Sequence, residues 1–159
     1  MRVEIPSKYR TKKDQLGYIG EYLVRELFGG NLSENKFDMK KDIILNNGEF
    51  AEVKTQNRDK YRNMFTVNTM HSNQVEKCVA VKNLYFVEYD KSNCVKIWEC
   101  VDRQYTIFET NDGRLMAGWP IAKMNLVKQI DDKELADQMK SLSQSRDFSL
   151  NSPYAFNKF

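Results

Sequence analysis

Residues 36–56, with the sequence KFDMKKDIILNNGEFAEVKTQ, contain the pattern that decides the fold of this chain. Two apolar runs flank the turn sequence Asn-Asn-Gly at 46–48, and this arrangement predicts a β-hairpin. A three-residue loop with Gly48 in the left-handed conformation would pair Ile44 with Phe50 across the hairpin. The register of the two strands therefore follows from the loop.

Two carboxylates face each other in that register. The loop puts Asp42 opposite Glu52, at a Cβ separation of about 5 Å, where like charges destabilise a fold unless a cation lies between them. Because side chains alternate along a strand, Lys54 shares the face of Glu52, whereas Val53 and Thr55 point to the other face. Two acids and one ammonium are suitable groups for a Mg²⁺ site that hydrolyses phosphodiesters.

The sequence on either side of the hairpin predicts helices and further strands. Helical spacing predicts a first helix over residues 11–28, capped by Thr11 and ended by Gly29-Gly30. Further predicted elements are helices over 73–81, capped by Ser72, and over 132–142, strands over 42–45, 50–55, 64–68, 84–89, 95–101 and 105–108, and a strand or short helix near 121–129. The order helix, hairpin, helix, strands predicts an α/β (α+β) fold with a mixed central β-sheet flanked by helices.

Length and composition exclude several classes of protein. The chain has 159 residues, of which 41% are hydrophobic and 30% are charged, and this predicts a single domain over 1–145 with a C-terminal tail over 146–159. No apolar run reaches the roughly 18 residues of a membrane span, and the N-terminus lacks a signal-peptide pattern, so we expect a cytoplasmic protein. Three cysteines without a CxxC pair and one histidine argue against a disulfide framework and against histidine-based zinc chemistry.

The hairpin and the helix before it resemble the PD-(D/E)XK nuclease superfamily, which includes restriction endonucleases and Holliday junction resolvases. In that superfamily a helical glutamate, an aspartate that opens one strand and Glu-x-Lys on the next strand form the metal site. The resemblance implies a restriction-endonuclease-like core with the catalytic residues Glu21, Asp42, Glu52 and Lys54. It also implies Mg²⁺, or Mn²⁺ as a substitute, held by Asp42, Glu52, the backbone carbonyl of Val53 and, through water, Glu21.

The resemblance implies a Mg²⁺-dependent DNA endonuclease that hydrolyses phosphodiester bonds, with a Holliday junction resolvase or a phage recombination or repair nuclease as the first choice. A restriction or homing endonuclease of the same core, or a non-cleaving nucleic-acid-binding module, is the alternative. We expect a homodimer, because one small site per chain must cut two strands, and the aromatic tail is a candidate docking segment for a protein partner or the second subunit. The candidate DNA contacts are Gln56, Arg58, Lys60, Arg62, Lys12 and Lys13.

Each assignment also has a simpler explanation. The tripeptide Glu-x-Lys is common and recurs at residues 34–36, and Lys41 stands where the superfamily often has a proline. Asp38 is a rival of Asp42 for the role of the aspartate. The three charged strand residues would also fit a solvated cluster at a sheet edge, Glu21 an ordinary salt bridge, and the basic residues an ordinary hydrated surface.

Overall fold

The computed structural model describes residues 1–32, 43–70, 73–90 and 92–143. Within these ranges the chain forms three α-helices and nine β-strands. The helices are α1 (Lys12–Phe28), α2 (Gln74–Ala80) and α3 (Lys133–Ser143). The strands are β1 (Asn31–Leu32), β2 (Ile43–Ile44), β3 (Phe50–Gln56), β4 (Met64–Asn68), β5 (Asn83–Tyr89), β6 (Val95–Glu99), β7 (Thr106–Glu109), β8 (Leu115–Pro120) and β9 (Asn125–Ile130), and a 3₁₀ turn spans Ile121–Lys123.

The strands form two sheets. Six of them make a mixed sheet in the order β1-β2-β3-β5-β6-β9, in which β3 and β5 are parallel and the other neighbours are antiparallel. The remaining three make an antiparallel sheet in the order β4-β8-β7. The predicted α+β fold with a mixed sheet is confirmed, but the second sheet is an addition that the sequence pattern did not predict.

Apolar side chains fill both sides of the mixed sheet. One cluster joins α1 and α3 to the sheet and includes Ile19, Val53 and Leu135. The other lies between the mixed sheet, α2 and the three-stranded sheet, and includes the fully buried Phe86 and Trp119. Because side chains alternate along β3, Ala51 and Val53 face α1, whereas Phe50, Glu52 and Lys54 face the side of α2.

Helix α1 begins and ends as the sequence predicts. The Thr11 side chain accepts a hydrogen bond from the Asp14 backbone N–H at 3.0 Å, and Gly29, at φ 75°, ends the helix. A Cβ atom on Gly20 would lie 1.8 Å from the Thr55 hydroxyl oxygen, so a larger residue here would force the Thr55 side chain to move.

The direction of α1 follows from two contacts. Gly29 lies against Asn46, which precedes β3, and Gly20 lies against Thr55, near the end of that strand. The helix therefore runs antiparallel to β3. Its first residues, Lys12 and Lys13, are consequently at the same end of the sheet as the loop 57–63 that follows β3.

The hairpin between β2 and β3 has the predicted register. Ile44 pairs with Phe50, and the Leu45 backbone N–H donates to the Glu49 carbonyl at 2.9 Å. Gly48 has a φ of 83°, in the left-handed region that the loop requires. The register prediction is confirmed for this pair of strands, whereas Asp42, Asp38 and Ser72 lie outside the described residues.

One local prediction needs correction, and another is confirmed. Helix α2 has Asn73 as its N-cap, one residue after the predicted Ser72, and this asparagine has a φ of 68°. Asparagine tolerates the left-handed region better than most residues, so the chain can turn into the helix there. Near residues 121–129 both predicted alternatives occur, because a 3₁₀ turn is followed directly by β9.

The expectations about membrane spans and about the domain boundary have different outcomes. Within the described ranges, none of the helices has both the length and the apolar character that crossing a bilayer requires. The proposed division into a domain over 1–145 and a tail over 146–159 stays a prediction, because residues 144–159 are not described.

A buried thiol and a buried phenol predict that the protein loses stability at alkaline pH. Burial raises the pKa of the Cys100 thiol to about 11 and that of the Tyr85 phenol to about 12. In the unfolded chain these groups ionise at a lower pH. Their contribution to the free energy of unfolding is therefore complete below about pH 8.5 and is lost as the pH rises toward 12. Urea unfolding between pH 7 and 12 should show this decline. Cys100→Ala should make the decline smaller in the lower part of this pH range. A urea midpoint that increases above pH 9 would contradict the role given to these two groups.

Candidate active site around Glu52 and Lys54

The Glu52 carboxylate is enclosed in the middle of the mixed sheet. The residue lies on β3, at the point where the sheet changes from antiparallel pairing with β2 to parallel pairing with β5. Its side chain is 0% exposed, and its register partner on β5 is the fully buried Leu84. A carboxylate in such surroundings is costly unless cations or hydrogen-bond donors compensate it.

Two lysines compensate the charge of Glu52. The Lys54 Nζ lies 2.9 Å from Glu52 Oε2, and the Lys77 Nζ lies 3.1 Å from Glu52 Oε1. The Lys54 ammonium also donates a hydrogen bond to the Gln74 side-chain oxygen. One carboxylate is therefore held between two ammonium groups, one from its own strand and one from α2.

The two lysines differ in access to solvent. The side chain of Lys54 is 21% exposed, whereas that of Lys77 is 6% exposed. The Lys54 side chain is therefore partly open to solvent, while Lys77 lies deeper against Glu52. An ammonium beside a buried carboxylate at an accessible surface can stabilise negative charge that develops on a bound phosphate.

Arg103 fixes the C-terminal end of α2, just after Lys77. Its Nη1 donates to the carbonyls of Cys78 and Val81, both at 2.8 Å, and its Nε donates to the Cys100 carbonyl at 2.7 Å. These bonds occupy carbonyl oxygens that the last turn of a helix leaves without partners. Helix α2 is thereby attached to the chain just after β6, and Lys77 is held over Glu52.

The other predicted catalytic residues are only partly placed. Glu21 is half-buried on α1 and follows Gly20, the residue that contacts Thr55. Burial, followed by the nearby Glu21 charge, raises the pKa of Tyr9. The Val53 side chain belongs to the apolar cluster beneath α1. The catalytic role of Glu21 and the metal-binding role of the Val53 carbonyl stay predictions, as does the role of Asp42.

Two of the predicted DNA contacts are engaged within the fold. The Gln56 side chain donates to the Thr66 carbonyl at 2.9 Å and accepts from the Thr66 N–H at 2.8 Å, so it joins the two sheets. The Arg58 guanidinium donates to the Glu88 carboxylate at 2.9 Å, and Trp98 Nε1 donates to the same carboxylate at 2.9 Å. Both residues therefore have a structural role, and a DNA contact would be additional.

The remaining predicted DNA contacts lie at one end of the sheet. Lys60 and Arg62 are exposed on the loop after β3, and Lys13 is exposed on the first turn of α1. Lys12 beside it is half-buried. Cations on neighbouring elements form a basic surface that can contact a phosphate backbone, although contact with DNA itself stays a prediction.

Sequence reasoning missed Gln74 and Lys77 as parts of the site. Their spacing of three residues places both on one face of α2, which passes over β3 on the way to the parallel strand β5. The available signal was this polar pair on the short helix that follows β4 and precedes β5. From the sequence alone, local capping explained Gln74 equally well.

The donor chemistry around Glu52 fits part of a Mg²⁺ site. Carboxylate oxygens are the ligands that Mg²⁺ prefers, and Glu52 can supply them. The described residues contain no cluster of three acidic, histidine or cysteine side chains that could hold a metal by itself. One carboxylate between two ammonium groups also leaves a net positive charge. A dication here therefore needs further anions. The carboxylates of Asp42 and Glu21, both predicted metal ligands, and a substrate phosphate would supply them.

Comparisons with known proteins do not assign this site to a family. No protein-family model matches the sequence, and no curated protein matches it. The function must therefore be inferred from the groups around Glu52 and from the pattern of the strand that carries them.

Proposed function

We propose that this chain is a Mg²⁺-dependent DNA endonuclease with a PD-(D/E)XK core. The observation that carries the proposal is the Glu-x-Lys pair on β3, with Lys54 Nζ 2.9 Å from the buried carboxylate of Glu52. The pair lies on a central strand, which follows α1 in the chain and is the second strand of a hairpin with the predicted register. The strand context, rather than the tripeptide alone, supports the resemblance.

The residues of the site have distinct proposed roles. Glu52 and Asp42 would hold the metal, together with the Val53 carbonyl and, through water, Glu21. When bound, Mg²⁺ would supply Lewis-acid stabilisation of the charge that develops on the phosphate. Lys54 would donate to a phosphate oxygen and orient the attacking water.

Hydrolysis needs no covalent intermediate with the protein. A water oxygen loses a proton and forms a new bond to phosphorus, the bond between phosphorus and the leaving sugar oxygen breaks, and the leaving oxygen takes up a proton. The Gln74 side-chain oxygen accepts a hydrogen bond from Lys54 and so limits the positions of its ammonium group. In the proposed reaction, Lys54 would therefore be held in advance where negative charge develops on the phosphate.

DNA binding and assembly complete the proposal. Lys13, Lys60 and Arg62 are exposed near one end of the mixed sheet and would contact the phosphate backbone. We propose a homodimer that cuts a four-way junction or an intermediate of phage recombination or repair, with restriction or homing cleavage as the alternative. The C-terminal tail, which lies outside the described residues, remains a candidate docking segment for a partner.

One observation favours a different function. The Glu52 carboxylate has a lysine on each oxygen, which is also how a purely structural buried ion pair would be arranged. The second candidate is therefore a nucleic-acid-binding module that keeps the fold without cleaving. A DNA cleavage assay distinguishes the two candidate functions.

The purified protein is expected to cut supercoiled plasmid or a four-way junction in the presence of Mg²⁺ or Mn²⁺. Cleavage should stop with EDTA, because the metal is required to stabilise the phosphate charge. The measurement is nicking and linearisation on agarose gels, together with junction resolution on denaturing gels. An Asp42→Asn variant serves as the control for contaminating nuclease, since it should bind DNA without cutting it.

Two outcomes would count against the endonuclease. Cleavage that survives in Asp42→Asn would show that the site is misassigned or that the activity comes from a contaminant. A protein that binds DNA with salt-dependent affinity but cuts neither substrate with either metal would instead support the binding module.

A further inference from the structure

Lys77 is a buried ammonium group that the proposed hydrolysis does not use. Its side chain is 6% exposed, and its Nζ lies 3.1 Å from Oε1 of the fully enclosed Glu52. On α2 it is followed by Cys78, which is 0% exposed, so this part of the helix faces the interior. Burying a lysine is unfavourable unless a carboxylate balances it, and Glu52 is such a partner.

We propose that Lys77 is the counter-ion of Glu52 when no divalent metal is bound, and that a metal ion must displace it. This inference rests on the proposed function, because it assumes that Glu52 is a metal ligand. Lys77 is then a positioning residue, since it acts on the carboxylate and touches neither substrate nor the reacting atoms. Its effect is to keep the apparent metal affinity low until other anions arrive.

The competition follows from charge and distance. Each oxygen of Glu52 already has an ammonium group within 3.1 Å, one from Lys54 and one from Lys77. A cation that binds either oxygen must come close to both positive groups, and repulsion between like charges is strong where water is excluded. Removing one of them should therefore strengthen metal binding. A substrate phosphate would favour the metal by adding negative charge.

The surroundings of Lys77 provide a place for the displaced group. Lys77 lines a pocket of about 500 Å³ together with Asn73, Glu76 and Phe50. Glu76 and Asn73 are exposed. A displaced ammonium group could thus reach solvent and the Glu76 carboxylate, although Phe50 and Val81 give the pocket apolar surface as well. Lys54 differs, because it contacts the other Glu52 oxygen and also donates a hydrogen bond to the Gln74 side chain.

The test measures metal binding to the full chain without DNA. Lys77→Met keeps the length and apolar stem of the side chain and removes the charge, and Lys77→Gln is a second neutral variant. We expect both to bind Mn²⁺ about tenfold more tightly than the wild type by calorimetric titration, whereas Lys77→Arg should stay close to the wild type. Adding Glu52→Gln to Lys77→Met should abolish the gain.

Lys82→Met is the matched control. It removes a lysine from the same pocket lining, but its side chain is 70% exposed and lies 4.0 Å from Glu49. Its Mn²⁺ affinity should equal that of the wild type, because solvent screens an exposed charge. Thermal melting of every variant shows whether it is folded.

The outcomes separate this inference from the proposed function. If the wild type binds Mn²⁺ and cuts DNA, but the neutral variants bind Mn²⁺ no more tightly, the competition is refuted while the endonuclease stands. If both neutral variants fail to fold, Lys77 serves the fold and the inference is wrong as stated. A wild type that neither binds Mn²⁺ nor cuts DNA would refute the proposed function itself.

Discussion

Replacing Lys54 with alanine is expected to lower the rate of DNA cleavage by about 10²–10³-fold, the usual loss when one preorganised group that stabilises transition-state charge is removed. Lys54 Nζ lies 2.9 Å from Glu52 and also donates to Gln74, so its ammonium is held in place before the substrate binds. The variant should still fold, because Lys77 remains beside the buried carboxylate. Single-turnover cleavage at saturating protein measures the chemical step.

Matched variants make the Lys54 experiment specific. Lys54→Arg keeps the charge but changes its shape, and it should recover only part of the rate, because the guanidinium is larger and planar. Lys60→Ala removes an exposed lysine four residues beyond the strand end and should weaken DNA binding modestly with little change in the single-turnover rate. A Lys54→Ala variant that is folded and cuts at the wild-type rate would contradict the assignment.

Replacing Arg58 with alanine is expected to lower the free energy of unfolding by about 3 kcal/mol, near the lower end of the range for breaking a buried ion pair. The Glu88 side chain is 3% exposed and its carboxylate binds Arg58 at 2.9 Å. Trp98 also donates to that carboxylate but carries no charge. The loss is placed near the lower end because Arg58 is itself 21% exposed and solvent screens part of the interaction.

Urea denaturation without DNA measures this effect, and Lys60→Ala is again the control, with an expected change within about 0.5 kcal/mol. Replacing both partners, as Arg58→Met with Glu88→Leu, should recover part of the loss because no buried charge is then left unbalanced. An Arg58→Ala variant with wild-type stability but much weaker DNA binding would overturn the structural role and restore Arg58 as a DNA contact.

The sequence predicted the part of the fold that depends on neighbouring residues. The loop around Gly48 sets the register of β2 and β3, because a short loop permits few backbone conformations. The start and end of α1 were predicted from Thr11 and Gly29, whose capping roles are local. Strand alternation alone placed Glu52 and Lys54 on one face of β3. The structure shows Lys54 Nζ 2.9 Å from Glu52 Oε2.

The second sheet was not predictable by the same means. Strand β8 contains Gly118 and ends at Pro120, residues that are poor strand signals by themselves. It is nevertheless the central strand of its sheet, between β4 and β7. Its pairing with β7 crosses only a short turn, but its pairing with β4 joins strands that are distant in the chain. No local pattern reveals that second pairing or the burial of Trp119.

By itself the sequence determined the hairpin, the first helix and the pairing of an acid with a lysine on one strand face, because backbone geometry over a few residues dictates each of them. Only the tertiary structure decided which distant groups complete these surroundings. It brought Lys77 and Gln74 of α2 to Glu52 and Lys54, and it joined Arg58 to Glu88. Long-range packing chooses such partners because a buried charge must find a counter-charge wherever the fold supplies one.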